Sequence, residues 1–216
     1  GNAYIIGHFE STTISFGSIT LTNYGGTDVY VAKISPSGNW QWAYRAGADG
    51  DDVGTAIAVE SNSVYVTGSF TTSISFGNNT LTDGWGYEVF VAKASTAGVW
   101  QWALKSSTGN TDDTIGMAYS SAIAVDSNGD VYIGGSYVND LTLGSLNAYW
   151  EPHGNYEATG YWDLFVAKVN DSSSSVYWEW VARAGKRQSE GVNDIDIGPN
   201  GDVFIVGKYW AGFGNS

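Results

Sequence analysis

The sequence predicts an all-β fold of repeated four-stranded antiparallel sheets. Three observations carry this. A set of motifs recurs in fixed order along the whole chain. Short runs of β-branched and aromatic residues alternate with Gly, Asn, Asp and Ser. No stretch shows a sustained helical period with caps. The composition agrees: of 216 residues, 29 are Gly, 32 are aromatic, 3 are Pro and none is Cys. The aromatic and hydrophobic content is too high for a solvated coil.

The repeat organises everything else. Val29-Tyr-Val-Ala-Lys33 returns as Val89-Phe-Val-Ala-Lys93 and Leu164-Phe-Val-Ala-Lys168, at intervals of about 60 and 75 residues. Trp40-Gln-Trp42 returns as Trp100-Gln-Trp102 and Trp178-Glu-Trp180. Ile14-Ser-Phe-Gly17 returns as Ile74-Ser-Phe-Gly77 and loosely as Leu141-Thr-Leu-Gly144. Tyr4-Ile-Ile-Gly7 returns as Tyr65-Val-Thr-Gly68, Tyr132-Ile-Gly-Gly135 and Phe204-Ile-Val-Gly207. The repeats run approximately over 1–61, 62–128 and 129–200, with a further one starting at 201–216. Insertions near Asn110–Ser120 and Ser145–Trp162 lengthen the third copy.

The second copy shows the predicted elements in order. Ala56–Val59 forms a first strand, Ser61–Ser63 a turn and Val64–Phe70 a second strand. A polar excursion over Thr71–Gly86 carries Ile74-Ser-Phe76. Glu88–Ala94 is the third strand, Ser95–Gly98 a turn and Val99–Lys105 the fourth. In Val89-Phe90-Val91-Ala92 neither alternate set is polar, so the strand is expected to be buried on both faces. Small sheets sandwiched between neighbours are the blades of a β-propeller. The chain opens and closes in a second strand, so about three repeat lengths leave the ring unfinished. The remaining blades are expected in the same, longer chain or in a second copy. The absence of an initiator Met fits a piece of something larger.

Charge and composition exclude several functions. With 9 Lys+Arg against 22 Asp+Glu the net charge is −13, which argues against nucleic acid and anionic membrane surfaces. No apolar run reaches the ~18 residues of a membrane span. Zero Cys excludes disulfides and thiolate metal sites.

Candidate sites fall into two groups. Asp49, Asp51 and Asp52 occupy one inter-blade loop, and Asp112 and Asp113 the equivalent loop of the next copy. Paired carboxylates suit Ca2+, but two supply too few of the ~6–8 oxygens it takes. Turn formation is therefore the preferred reading, and calcium is the sole cofactor considered. Asp126-Ser-Asn128-Gly-Asp130 lacks the EF-hand pattern and reads as a hairpin turn. The second group is aromatic. The repeated Trp-x-Trp belongs to packing, whereas Trp85, Trp150, Trp162 and Trp210 lie outside the repeated motifs, Trp150 beside Glu151 and His153. Loop aromatics beside carboxylates could stack on and hydrogen-bond a glycan, or pack an insertion onto itself. Catalysis has little support: His8 and His153 are the two histidines, and no Gly-x-Ser-x-Gly or P-loop is present. A carboxylate pair for glycoside hydrolysis is unreadable without spatial separations.

Five motifs in fixed order resemble the bacterial β-propeller repeat called SBBP. They are Gly-Asp-Val-Tyr-Ile-Gly-Gly (129–135), Ile-Ser-Phe-Gly (14–17), Asp-Val-Tyr-Val-Ala-Lys (28–33), Gly-Asn-Trp-Gln-Trp-Ala (38–43) and Gly-Asp-Asp-Val-Gly-Thr-Ala-Ile-Ala-Val (50–59). The resemblance implies a secreted or cell-surface bacterial protein, in some cases routed by type IX secretion. It brings no shared catalytic residues. The resulting expectation is a non-enzymatic, structural or adhesive extracellular module with protein or glycan partners. The alternatives are a lectin-like propeller using the loop aromatics, and a polysaccharide-active enzyme.

Overall fold

A computed structural model describes residues 1–83, 86–109, 115–148, 162–172, 174–185 and 189–209. Among these residues every regular element is a strand, so no helix there is long and apolar enough to cross a membrane. The first sheet has the order β1 (Ala3–Phe9), β4 (Asp28–Ile34), β5 (Trp40–Ala46), with the hairpin β2 (Thr13–Phe16) and β3 (Ile19–Thr22) between its first two strands. The second comprises β6 (Asp52–Glu60), β7 (Ser63–Phe70), β10 (Glu88–Ser95) and β11 (Trp100–Thr108), interrupted by the hairpin β8 (Ser73–Phe76) and β9 (Asn79–Thr82). The third comprises β12 (Met117–Val125), β13 (Val131–Val138), β16 (Asp163–Asp171) and β17 (Val176–Ala184), interrupted by β14 (Leu141–Leu143) and β15 (Leu146–Ala148). The fourth is the pair β18 (Glu190–Ile197) and β19 (Val203–Tyr209).

Among the described residues the named strands pair antiparallel, and one isolated parallel bridge joins Thr27 to Asp51. The repeat cuts drawn from sequence fall in the turns joining β6 to β7, β12 to β13 and β18 to β19. A sheet thus takes its first strand from the preceding repeat. The predicted Asp126–Asp130 turn closes as a hairpin, its Asp126 carboxylate accepting from the N–H groups of Asn128 and Asp130 at 2.9 Å each.

The sheets stack in chain order through three apolar layers. Val29, Val31 and Trp42 meet Val64, Val66 and Phe90 between the first and second. Tyr65, Val89 and Val91 meet Ile133, Phe165 and Trp178 between the second and third. Ala122, Tyr132 and Val166 meet Val192 and Ile195 between the third and fourth. This is why β7 and β10 are buried on nearly every residue, as the apolar run Val89–Ala92 predicts for β10.

A bulge explains the Trp-x-Trp motif. Regular strand period would put both indoles on one face. Instead the register slips: Ile34 pairs with Trp40 and Lys33 with Trp42, leaving Gln41 unopposed. The same slip occurs at Gln101 and Glu179. Adjacent partners point to opposite faces, so the bulge aims the two indoles apart. Trp100 accordingly packs toward the first sheet and Trp102 toward the third.

The polar excursion folds as a two-stranded hairpin in each copy. Its turn glycine, Gly17, Gly77 or Gly144, has φ of 63°, 61° or 63°. A Cβ there would stand 3.4 Å from Cδ1 of Trp40, Trp100 or Trp178. Phe16 and Phe76 meet those indoles edge-on at 4.9 Å. In the third copy β14 also pairs with β11, covering the outer edge of the second sheet.

Candidate functional site

The site is built at the sheet junctions, where the loop before each third strand meets the loop leading into the next sheet. Three equivalent hydrogen bonds hold these loops together. The N–H of Asp52 donates to the Thr27 carbonyl at 2.7 Å, that of Ala118 to Tyr87 at 2.8 Å, and that of Glu190 to Trp162 at 2.7 Å. Beside each junction the sequence places a buried acid at the head of the third strand: Asp28, Glu88 and Asp163.

Asp28 accepts from the Tyr24 N–H and the Arg45 guanidinium, each at 2.9 Å. Arg45 in turn lies 4.4 Å from the Tyr24 ring centroid. Glu88 accepts from Ser106 Oγ at 2.5 Å, Thr108 N–H at 2.7 Å and Thr108 Oγ1 at 2.6 Å. Burial nevertheless pushes the Glu88 carboxyl up to about 7, helped by the hydrogen-bonded Asp83 carboxyl. Asp28 and Glu88 thus bond to the end of the last strand of their own sheet, and Asp28 also to the preceding loop. The three acids stand in the sequence as one acidic column immediately before Val29, Val89 and Leu164, but sequence reasoning gave them no role beyond Glu88 opening the third strand.

The predicted Asp49, Asp51 and Asp52 set divides between two environments. Asp49 and Asp51 are exposed, whereas Asp52 is fully buried. The Asp49 carbonyl accepts from Thr72 Oγ1, and Asp51 Oδ2 accepts from the Tyr87 hydroxyl at 3.4 Å. Asp52 accepts from the Ala48 N–H at 3.0 Å. Burial drives the Asp52 carboxyl up to about 8, opposed by that hydrogen bond and reinforced by Asp28. Among the described residues no group of three or more His, Asp or Glu is placed to hold a metal ion. Asp112 and Asp113 lie outside the described residues, as do Trp85, Trp150, Glu151, His153 and Trp210.

Trp162 is described, and it ends an aromatic row. Its ring centroid lies 5.4 Å from Tyr119, which lies 4.9 Å from Tyr87. Tyr87 and Trp162 occupy equivalent loop positions in consecutive copies, and Tyr119 comes from β12. Burial raises both tyrosine hydroxyls above their ordinary range, so they stay neutral donors at physiological pH. Sequence reasoning missed Tyr87 and Tyr119 because it searched the insertion rather than the repeated positions.

A second constellation recurs at the opposite strand ends. Tyr4, Lys33 and Trp42 form one trio, Tyr65, Lys93 and Trp102 the next, and Tyr132, Lys168 and Trp180 the third. The first trio grips the following sheet: Lys33 Nζ and Trp42 Nε1 donate to the Thr96 carbonyl at 2.9 and 3.2 Å. In the second, Tyr65, Lys93 and Trp102 all donate to the Asp171 carboxylate, at 2.9, 2.6 and 2.9 Å. Burial lowers the Lys93 ammonium, but its bonds to Asp171 and Tyr65 outweigh this and hold it above the ordinary range. Lys168 instead pairs within its own sheet, with Asp130 at 2.8 Å and Glu179 at 3.0 Å.

A cavity of about 420 Å3 lies along the inner strands, lined by residues including Ile6, Thr55, Ala56, Ser121, Ala122 and Asp194. All four sheets contribute to it.

No family model matches the chain. It is 26% identical, over 89% of its length, to an uncharacterized WD repeat-containing protein of Acanthamoeba polyphaga mimivirus. It is 27% identical, over 85% of its length, to the regulatory protein FlaEY of Caulobacter vibrioides. The chain spans only 15% and 18% of these two relatives.

Proposed function

We propose that the chain is a segment of a β-propeller serving as a non-enzymatic interaction module within a larger protein. The observation that carries this reading is the junction repeated three times. One hydrogen bond and one apolar layer join successive sheets, and the inner strands of all four line one open groove. A repeated rigid scaffold with variable loops at one end is suited to display contact residues. The WD repeat-containing relative supports protein partners. A secreted or cell-surface setting rests on the resemblance to SBBP repeats and on the net charge of −13. The remaining blades come from the same longer polypeptide or from a second copy. Negative-stain imaging of the longer polypeptide should show a closed ring, and an open stack of sheets would overturn the propeller. A monomeric mass for the 216-residue chain in light scattering would remove closure by a second copy.

The Tyr87–Tyr119–Trp162 row favours a second reading, a glycan platform beside the long insertion. A glycan array should then give hits that Tyr119→Ala abolishes. A blank array, or hits indifferent to that substitution, would remove this reading.

A further inference from the structure

At the loop end of the sheets the second junction departs from its siblings. The residues flanking its closing hydrogen bond are Tyr87 and Tyr119, where the first junction has Thr27 and Val53 and the third has Trp162 and Gly191. The rings of Tyr87, Tyr119 and Trp162 follow one another at 4.9 and 5.4 Å, tilted by 37° and 43°. All three are partly exposed. Asp51 stands at the Tyr87 end of the row and accepts from its hydroxyl. The row belongs to the second and third sheets. Each of these has its four strands and a neighbouring sheet on both sides, so a further blade stacks elsewhere.

Elsewhere the chain completes such a group by itself. Arg45 lies 4.4 Å from the Tyr24 ring centroid and bonds to Asp28. Lys93 lies 5.2 Å from the Tyr65 centroid and bonds to Asp171. Lys168 lies 5.8 Å from the Tyr132 centroid and bonds to Asp130. Each unit is a ring, a carboxylate and a cation. Asp51 and its row supply rings and carboxylate without the cation, since among the described residues Asp51 forms no ion pair. The carboxylate is nevertheless fixed in place. The Asp51 N–H donates to Thr71 Oγ1 at 2.8 Å, and its carbonyl accepts from the Thr71 N–H at 3.0 Å. With Oδ2 bonded to Tyr87, Oδ1 remains for an incoming donor. Aromatic faces attract a cation. A carboxylate beside a ring favours guanidinium, which bonds to the oxygen while its plane stacks. A quaternary ammonium has no N–H to give Oδ1. Side chains two apart on an extended segment are about 6.6 Å apart, so one segment sets Arg at the Asp51 end and an apolar side chain toward Trp162.

We infer that the Asp51–Tyr87–Tyr119–Trp162 row docks an arginine of a partner protein, carried on an extended segment with an apolar residue two positions away. The inference rests on the interaction-module reading and adds the chemistry of the partner.

The test titrates the capped peptide Gly-Arg-Gly-Leu-Gly into the isotope-labelled 216-residue protein and follows its amide signals by NMR. Those of Asp51, Tyr87 and Tyr119 should move and saturate, and the binding should weaken with salt. Asp51→Asn keeps an acceptor for the Tyr87 hydroxyl and should raise the Kd at least about fivefold. Asp49→Asn removes the same charge from an exposed side chain of the same loop and should leave the Kd unchanged. Tyr119→Leu should weaken binding as well. Equal losses in the two charge-matched variants would reduce the effect to attraction by the net charge and overturn the inference. Equal binding of the peptide with citrulline in place of Arg overturns it, as do shifts that never saturate. A silent titration beside glycan-array hits that Tyr119→Ala abolishes would give the row to the glycan reading. A closed ring seen by imaging would leave the propeller intact in either case.

Discussion

Replacing Asp171 by Ala tests whether the carboxylate latches the third sheet to the second. The substitution removes one acceptor and strands three donors, the Tyr65 hydroxyl, the Lys93 ammonium and the Trp102 indole N–H. The Asp171 side chain is 6% exposed and that of Lys93 18%. Breaking a buried pair by removing one partner costs about 3–5 kcal/mol. Because Lys93 keeps some water, the lower end applies, about 3 kcal/mol. For a domain of this size that corresponds to a melting-temperature fall of roughly 6–12 °C. Calorimetry at pH 7 should show it, and Lys93→Met in the same background should recover part of the loss, since the stranded charge is then gone. The first junction supplies the control: Lys33 and Trp42 use the Thr96 backbone carbonyl, so Thr96→Ala should change stability by less than about 0.5 kcal/mol. If Asp171→Ala were equally silent, the latch would be decorative.

Three further outcomes follow from buried groups. The Asp52 carboxyl is protonated in the folded chain up to about pH 8 but ionises near 3.8 when unfolded. The folded state thus holds the extra proton between these values, and stability falls as pH rises through that window. Asp52→Asn should flatten the decline and raise the urea midpoint at pH 9, and an unchanged pH profile would refute the buried-acid reading. Gly68→Ala would drive a methyl group into the Val53 carbonyl and to 2.6 Å from the Phe90 ring. Backbone cannot yield there, so a loss of about 3 kcal/mol is expected from chemical denaturation. Phe76 is fully buried and meets Trp100 edge-on. Phe76→Ala should cost about 3–5 kcal/mol, with a matching change in Trp fluorescence as the hairpin lifts off.

What could be read in the sequence was what repeats with strand period. The strand over 88–95 follows from its apolar run, the one over 100–108 was read as Val99–Lys105 and so ended three residues early, and the assignment of Trp-x-Trp to packing agrees with the structure. The split of each Trp pair between two faces was hidden, because a bulge depends on hydrogen-bond register and leaves no mark at Gln41, Gln101 or Glu179. The β2–β3 and β8–β9 hairpins were read only as polar excursions because their strands are four residues long and rich in Ser and Thr. The site was harder still. Asp28, Glu88 and Asp163 gain their meaning from burial, and Tyr87, Tyr119 and Trp162 from a distance across two sheets.

The trios that reach into the next sheet also impose an order on synthesis. Trp42 and Lys33 bond to Thr96, 54 and 63 residues further along the chain. At translation rates of about 5–20 residues per second, that acceptor leaves the ribosome roughly 3–13 s after its donors. The first two repeats therefore wait with indole and ammonium unanswered until the following sheet appears, Thr96 for the first and Asp171 for the second. A ribosome pausing within one repeat prolongs the exposure of the repeat already made, so the codons most sensitive to misassembly lie one unit downstream of the surface they protect.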